Sequence, residues 1–225
     1  MKIEIESNIL RYYLRNVYFI CGTAYAGKST MVAMLAEKYN MVHCGENYHS
    51  KNCNRFVTPE YQPNLGYFQT MKDWQEFINR TPDEYAAWID GTSKEAAQIE
   101  IAELLRIPEG QKAIADTNIS LDVLRHISDY RHVAVMLSPQ SMSVDRFFDR
   151  SDADKQFLLK QIRLAENPEK TMDNFKKCMA RINSRERYDE FLNSGFFTII
   201  REDTAADTRL ETMGRLAEHF QLEAL

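Results

Sequence analysis

The sequence predicts a three-layer α/β protein in which a mainly parallel five-stranded sheet is flanked by helices on both faces. Short apolar runs alternate along the chain with segments of helical periodicity. Strands that are buried on both faces show such runs, and their alternation with helices is typical of a parallel sheet. The chain has 225 residues, of which 44% are hydrophobic, so it can form one domain with a substantial core. We therefore expect residues 1–225 to form a single domain.

Five uninterrupted apolar runs are the predicted strands. The first run ends at Gly22, the second is stopped by Gly45, and Pro139 follows the fourth. Glycine and proline at these positions mark the points where a strand gives way to a turn. In chain order, the predicted strands are residues 17–21, 41–44, 112–116, 133–137 and 196–200.

Apolar residues at helical spacing predict helices between these strands. The clearest helix start is Thr81, an N-cap candidate followed by Pro82 and by two acidic residues near the positive end of the helix dipole. The predicted helices are residues 9–14, 28–39, 67–79, 82–106, 120–128 and 207–221, with a helical stretch at 141–193.

Two insertions interrupt the regular alternation of strand and helix. Residues 46–110 follow the second strand, and their first part, 46–66, is loop-like and contains Pro59 and Pro63. Residues 141–193 follow the fourth strand and are rich in both charges.

Composition excludes several classes of protein. No apolar run approaches the roughly 18 residues that a membrane-spanning helix needs. Glu4, Glu6 and Arg11 interrupt the N-terminal stretch, which argues against a secretory signal. The net charge of -5 and the pI of about 5.6 argue against nucleic acid as the main partner. Four cysteines do not make a disulfide scaffold in a chain of this size, so we expect a cytoplasmic protein with reduced thiols.

The segment from Gly22 to Ser29 carries the most specific motif in the chain. Its sequence, Gly-Thr-Ala-Tyr-Ala-Gly-Lys-Ser, fits the pattern G-x-x-x-x-G-K-[ST]. Glycine is scarce, with eight in the whole chain, so a chance match is rare. An apolar strand precedes the motif and an amphipathic helix follows it, which is the context that a phosphate-binding loop requires. The alternative is a glycine-containing turn that binds no ligand.

The residue types in this loop suit the binding of a nucleotide's phosphates. Gly22 and Gly27 permit backbone angles that a side chain would forbid, so successive N–H groups can point inward around an anion. Lys28 would reach the β- and γ-phosphate oxygens, and Ser29 would bind Mg²⁺. The predicted nucleotide-binding residues of this segment are Gly22, Thr23, Ala24, Tyr25, Ala26, Gly27, Lys28, Ser29 and Thr30.

On this motif the chain resembles the P-loop NTPases, and among them the small-molecule kinases that act on nucleosides, nucleotides or shikimate-type acceptors. The order of strands, the insertion after strand two and the helical segment before strand five agree with that group. The resemblance implies a five-stranded parallel core, an acceptor-binding insertion at 46–110, an arginine-bearing lid at 141–193, and ATP with Mg²⁺ as cofactors. The chain departs from adenylate kinases in lacking an Asp-Gly-Phe-Pro-Arg-type stretch, and it has no Asn-Lys-x-Asp guanine-reading motif.

The expected activity is therefore ATP- and Mg²⁺-dependent phosphoryl transfer to a small-molecule acceptor, with nucleosides and nucleotides among the candidates. A nucleotide-binding switch or an NTPase that needs no acceptor is the alternative from another class. A kinase of polynucleotide ends is the third hypothesis, and the acidic pI counts against it.

Two acidic residues are candidates for the chemistry. Asp116 ends the third strand, where a carboxylate near a phosphate-binding loop can hold Mg²⁺. It could instead bind the acceptor or cap the next helix, for which Asn118 and Ser120 compete.

Glu46 follows the second strand, and ligands of open parallel sheets bind beyond the carboxyl ends of the strands. Glu46 is therefore the candidate general base for an alcohol acceptor, against the alternative of an exposed loop residue.

Arginines before the fifth strand are the predicted lid residues. Arg146 and Arg150 are four residues apart and share a helix face, and Arg163 lies on the next helix. Arginine forks neutralise the charge that phosphoryl transfer spreads over the equatorial oxygens. The alternative is a solvated face on which nearby aspartates pair with them. A second basic group is more typical of a solvated face: Lys176, Lys177, Arg181, Arg185 and Arg187.

Three further groups have weaker signals. Asp203 and Thr204 follow the last strand, where the resemblance places the adenine base. Six aromatic residues of the first insertion could stack on an acceptor ring or form a small core of their own: Tyr48, Phe56, Tyr61, Tyr67, Phe68 and Trp74. Four residues near the second strand could bind zinc, but they lack the usual Cys-x2-Cys pair and more often line a pocket or pack: His43, Cys44, His49 and Cys53.

Overall fold

The structure is a computed structural model that describes residues 4–53, 55–139, 142, 144, 147–148, 153–202 and 206–223. Its centre is a five-stranded sheet in which every strand pair is parallel, with the strand order β2-β3-β1-β4-β5. The prediction of an α/β protein with a five-stranded sheet is confirmed. The strands are β1 Val17–Gly22, β2 Val42–Cys44, β3 Ala113–Asp116, β4 Val133–Leu137 and β5 Phe197–Ile200.

Helices connect these strands and cover both faces of the sheet. Those of the described residues are α1 Ser7–Tyr13, α2 Lys28–Lys38, α3 Ser50–Cys53, α4 Trp74–Ile78, α5 Pro82–Leu104, α6 Leu121–Ile127, α7 Ala153–Arg163, α8 Pro168–Ile182, α9 Arg185–Leu192 and α10 Arg209–His219. None of them combines the length and the apolar character that crossing a membrane would require.

Alternation along the central strand divides the core into two layers. Val17, Phe19 and Cys21 of β1 pack on one face, against residues of α5 and α6, with α9 at the edge. Tyr18 and Ile20 pack on the other face, against α2 and α10. Because successive strand residues point to opposite faces, the continuous apolar run of β1 supplies both layers.

A third hydrophobic core lies outside the sheet, and we call it the helical cluster. Its buried members include Phe77 of α4, Tyr85 of α5, Ile162 of α7 and Phe175 of α8. Helix α5 packs on α8, and α4 packs on α7. The two insertions that the sequence separates by about thirty residues therefore share one core.

Capping residues explain where the helical segments break. The predicted helix at 67–79 is wrong as one unit, because it is a 3-10 turn at Tyr67–Gln69 followed by α4. Asp73 is extended and its side chain accepts a hydrogen bond from Glu76 N at 3.1 Å, which starts α4 there. The stretch at 141–193 divides in the same way, since Asn167 caps α8 and Ser184 caps α9.

Candidate functional site

The turn from β1 into α2 has the backbone shape that its glycines predict. Gly22 and Gly27 have φ of 127° and 90°, and Tyr25 between them has φ of 64°. A Cβ at position 22 would lie 2.0 Å from the carbonyl oxygen of Met136 in β4. Glycine at 22 therefore combines a positive φ with a close backbone approach that no other residue allows.

Side chains from neighbouring segments hold this loop in place. Ser138 N donates to Thr23 Oγ1 at 2.8 Å, and Ser138 Oγ donates to the Ala24 carbonyl at 2.6 Å. Arg201, just after β5, donates from Nη1 to the Tyr25 carbonyl at 2.7 Å. The loop is thus held by contacts from the ends of β4 and β5.

The N-terminus of α2 is suited to an anion. Its N-cap is Gly27, which has no side chain to satisfy the first N–H groups of the helix, whereas side chains cap α4, α5, α6, α8 and α9. Lys28 Nζ donates to the Thr23 carbonyl at 3.0 Å, so the ammonium group lies across the loop. Free N–H groups, the helix dipole and one cation together favour a phosphate group at this point.

Asp116 lies against this loop because β3 is the neighbour of β1. Ser29 Oγ donates to Asp116 Oδ2 at 2.7 Å, and Asp116 is only 3% exposed. Burial raises the pKa of Asp116, while Lys28 and the Ser29 hydrogen bond act in the opposite direction. The capping alternative for Asp116 is wrong, because Ser120 caps α6. A hydroxyl and a carboxylate at this distance can hold Mg²⁺, which takes one or two protein ligands besides phosphate oxygens and water.

Glu46 lies two residues beyond the end of β2, at the same edge of the sheet as Asp116. It is exposed, and its charge contributes to the raised pKa of Asp116. The structure therefore brings Glu46 close to Asp116 and leaves its carboxylate open to solvent. Its role as a general base stays a prediction.

A cavity of about 590 Å³, which we call cavity A, adjoins the first half of the loop. Its walls include residues 22–24 of the loop, 117–121 after β3, 89, 90 and 93 of α5, and 181–184, 186–188, 190 and 191 of α8, α9 and the turn between them. The cavity therefore lies where the sheet meets the helical cluster. Most of the residues that line it have polar side chains, and Ile89, Leu121 and Phe191 are among the apolar ones.

Two arginines of cavity A were not among the predicted site residues. Arg187 Nη2 pairs with the Asp90 carboxylate at 2.6 Å, and Arg181 Nε pairs with Asp83 at 3.0 Å. These residues belong to the second basic group, for which a solvated face was expected. The partners in each pair lie more than ninety residues apart in the sequence, so no local pattern could reveal them.

Of the three predicted lid arginines, the structure describes one. Arg163 is exposed at the end of α7 and does not belong to the described lining of either cavity beside the loop. Arg146 and Arg150 lie outside the described residues.

A second cavity, cavity B, has about 520 Å³ and adjoins the other half of the loop. Ala26, Gly27 and Thr30 form one wall, and residues 199–202, 206–209, 211, 212 and 215 form the rest with Met31 and Met136. The predicted base-binding residues Asp203 and Thr204 lie outside the described residues, but their neighbours on both sides line this cavity. The loop thus lies between two cavities.

Cys21 and Cys44 are buried, and Phe68 and Trp74 of the first insertion pack on other rings, whereas Phe56 and Tyr61 are exposed. Burial raises the pKa of Cys21 to about 12 and that of Cys44 to about 11, so neither is a thiolate at neutral pH. In the part of the chain that the structure describes, no three His, Cys, Asp or Glu side chains are placed to hold a metal ion. Phe68 and Trp74 have ring centroids 5.2 Å apart beside the helical cluster, away from cavity A.

No protein-family model, curated protein or solved structure matches this chain significantly. The geometry around the Gly22–Ser29 loop is therefore what carries a functional conclusion.

Proposed function

We propose that this protein is an ATP- and Mg²⁺-dependent phosphotransferase with a P-loop kinase fold that acts on a small-molecule acceptor. The observation that carries the proposal is the meeting of Lys28, Ser29 and Asp116 at the start of α2, between two cavities. A hydrolase of nucleotides needs a phosphate site and a base site. A kinase also needs an acceptor site, and a second cavity on the far side of the phosphate site offers room for one.

Each part of the donor would meet residues suited to it. The N–H groups at the start of α2 and the Lys28 ammonium group would bind the phosphates, whose negative charge they match. Ser29 and Asp116 would hold Mg²⁺, which neutralises charge on the phosphate oxygens when it is bound. Cavity B would receive the base, next to Gly27 and Thr30.

The acceptor would bind in cavity A. Polar side chains after β3 and on α5 can orient hydroxyl groups there, and the apolar part can receive a ring or carbon skeleton. Glu46 does not belong to the described lining of cavity A, but it lies at the same edge of the sheet and would accept a proton from the acceptor hydroxyl. Arg181 and Arg187 line cavity A and are our candidates among the described residues for the role that the resemblance gives to lid arginines.

The test measures Mg-ATP consumption by the purified protein, alone and with pooled nucleosides, nucleotides, sugars, sugar acids and aminoglycosides. The proposal expects consumption to rise with one pool. Lys28→Met should lower that activity by about 100-fold or more, because it removes a cation from the phosphate site. Lys38→Met, at the other end of α2, is the matched control and should keep full activity.

Two outcomes would contradict the proposal. Full activity of Lys28→Met would exclude the loop as the phosphate site. Consumption that no pool changes would favour the acceptor-independent NTPase or switch, in which case nucleotide should alter binding to a partner protein.

A further inference from the structure

Glu100 is the most deeply buried charged residue of the described chain, with 0% exposure. It lies in the last two turns of α5 and contacts Thr117, the residue that follows β3. Taking a carboxylate out of water is unfavourable unless partners replace the lost hydration. The contacts of Glu100 therefore indicate which parts of the site its burial holds in place.

The first partner is the turn that follows Asp116. Thr117 Oγ1 donates to Glu100 Oε2 at 2.5 Å and accepts a hydrogen bond from Ile119 N at 3.0 Å. Thr117 N donates to the Ile20 carbonyl of β1 at 3.1 Å. Both the backbone and the side chain of Thr117, the residue that directly follows Asp116, are thus held in place.

The second partner is the loop that follows β2. His49 Nδ1 lies 3.1 Å from Glu100 Oε1, and both side chains are buried, but the two atoms are not aligned as a hydrogen bond. Tyr48 donates its hydroxyl to the Glu100 carbonyl at 3.4 Å. This loop also contains Glu46, so one residue of α5 contacts both the turn that follows Asp116 and the loop that contains Glu46.

We propose that Glu100 is a positioning residue that holds Asp116, and with it the Mg²⁺ site, through the hydroxyl of Thr117. Hydrogen bonds to a carboxylate are stronger than those to a neutral acceptor, which suits a group that must fix a metal ligand at a strand end. This inference rests on the proposed function, since it concerns the metal that accompanies ATP. The sequence gives no sign of it, because an acid at position 100 fits an exposed helix face equally well.

The experiment compares two variants with a matched control. Thr117→Val keeps the shape of the side chain and removes the hydroxyl, and Glu100→Gln keeps the size and removes the charge. Glu103→Gln is the control, because Glu103 lies one turn further along α5 and contacts Asn52 and Arg106, away from Thr117. For each protein, thermal unfolding is followed by circular dichroism, and ATP binding is measured by calorimetry in EDTA and over a Mg²⁺ titration.

The inference expects a split between two binding properties. In Thr117→Val and Glu100→Gln the Mg²⁺ concentration at half-saturation should rise by about 10-fold or more, while ATP affinity in EDTA stays within about twofold of wild type. Glu103→Gln should match wild type in both. Thr117→Val alters one hydroxyl and carries the test if Glu100→Gln does not fold.

Two results would overturn the inference, and they are distinguishable. A wild-type protein that binds ATP, with an unchanged Mg²⁺ half-saturation in folded Thr117→Val, would leave Glu100 a purely structural role. A wild-type protein that binds no ATP with or without Mg²⁺ would remove the proposed function, and this inference with it.

Discussion

At the scale of single residues, the carboxyl group of Asp116 is held where its charged form is poorly hydrated. Burial raises its pKa above the ordinary value, and Lys28 and Ser29 only partly oppose that effect. A carboxyl with a raised folded-state pKa destabilises the folded protein once the pH is above its unfolded pKa of about 4. The charged form of Asp116 is therefore unfavourable for folding.

Asp116→Asn should increase stability and abolish function. At pH 7 the free energy of unfolding should rise, because the neutral amide avoids the unfavourable burial of charge, and the gain should disappear below about pH 4. Mg²⁺-dependent transfer should fall by about 100-fold or more. Urea unfolding at pH 7 and pH 3.5, together with the transfer assay, checks both parts.

Asp129→Asn is the control with the opposite sign. Burial acts on Asp129 as well, but its hydrogen bonds with His132 and Arg131 outweigh it and lower its pKa. Asp129→Asn should therefore lose stability at pH 7 and leave transfer unchanged. A loss of stability in both variants would contradict the account of Asp116.

Residues of the site differ in how far the sequence could predict them. The Gly22–Ser29 motif and the position of Asp116 at a strand end are local features, and the 2.7 Å contact between Ser29 and Asp116 agrees with them. The pairing of Arg187 with Asp90 and the burial of Glu100 arise only when α5 packs against distant segments. Such contacts leave no local pattern in one sequence.

At the scale of elements, α5 begins at a complete capping box. Glu84 N donates to Thr81 Oγ1 at 3.3 Å, and Thr81 N donates to Glu84 Oε2 at 2.8 Å. Two donors that the helix itself cannot satisfy are thus paired at its first turn. This is the long helix that supplies walls to cavity A and carries Glu100.

Thr81→Ala should reduce the free energy of unfolding by about 1 kcal/mol, because it removes the capping hydroxyl. For a chain of this length the melting temperature should fall by about 2–4 °C. Thr208→Ala is the matched control, since Thr208 stands at the N-cap of α10 without a side-chain capping bond and should change little. Equal effects in the two variants, measured by calorimetry, would show that the box does not stabilise α5.

Strands were easier to predict than the shorter helices. A strand buried on both faces needs an unbroken apolar run, which is visible in the sequence, and all five predicted runs form strands. The break before α4 depends on the side chain of Asp73 turning back to Glu76 N. Apolar residues at helical spacing lie on both sides of that break, and Tyr67 and Trp74 among them pack on the same helical cluster. The hydrophobic pattern therefore continues across the break and does not reveal it.

At the scale of the whole molecule, the loop stands where three layers and the helical cluster come together. The sheet fixes its two ends, α10 and the segment after β5 border cavity B, and α5, α8 and α9 border cavity A. That α5 and α8 belong to one cluster follows from their packing, which the separate insertions did not predict. A ligand at the loop would therefore contact residues from most of the chain.

Mg-ATP should stabilise the entire fold. A ligand that binds only the folded state at 100 times its Kd adds about 2.7 kcal/mol to the free energy of unfolding, which corresponds to about 5–10 °C in melting temperature for this length. ATP in EDTA should give a smaller rise, because Ser29 and Asp116 then have no ion to hold. Differential scanning calorimetry at a series of nucleotide concentrations measures these shifts.

Lys28→Met should melt at nearly the wild-type temperature without ligand and show almost no shift with Mg-ATP, because its folded state differs mainly in the lost cation. An equal shift in Lys28→Met would place nucleotide binding away from the Gly22–Ser29 loop.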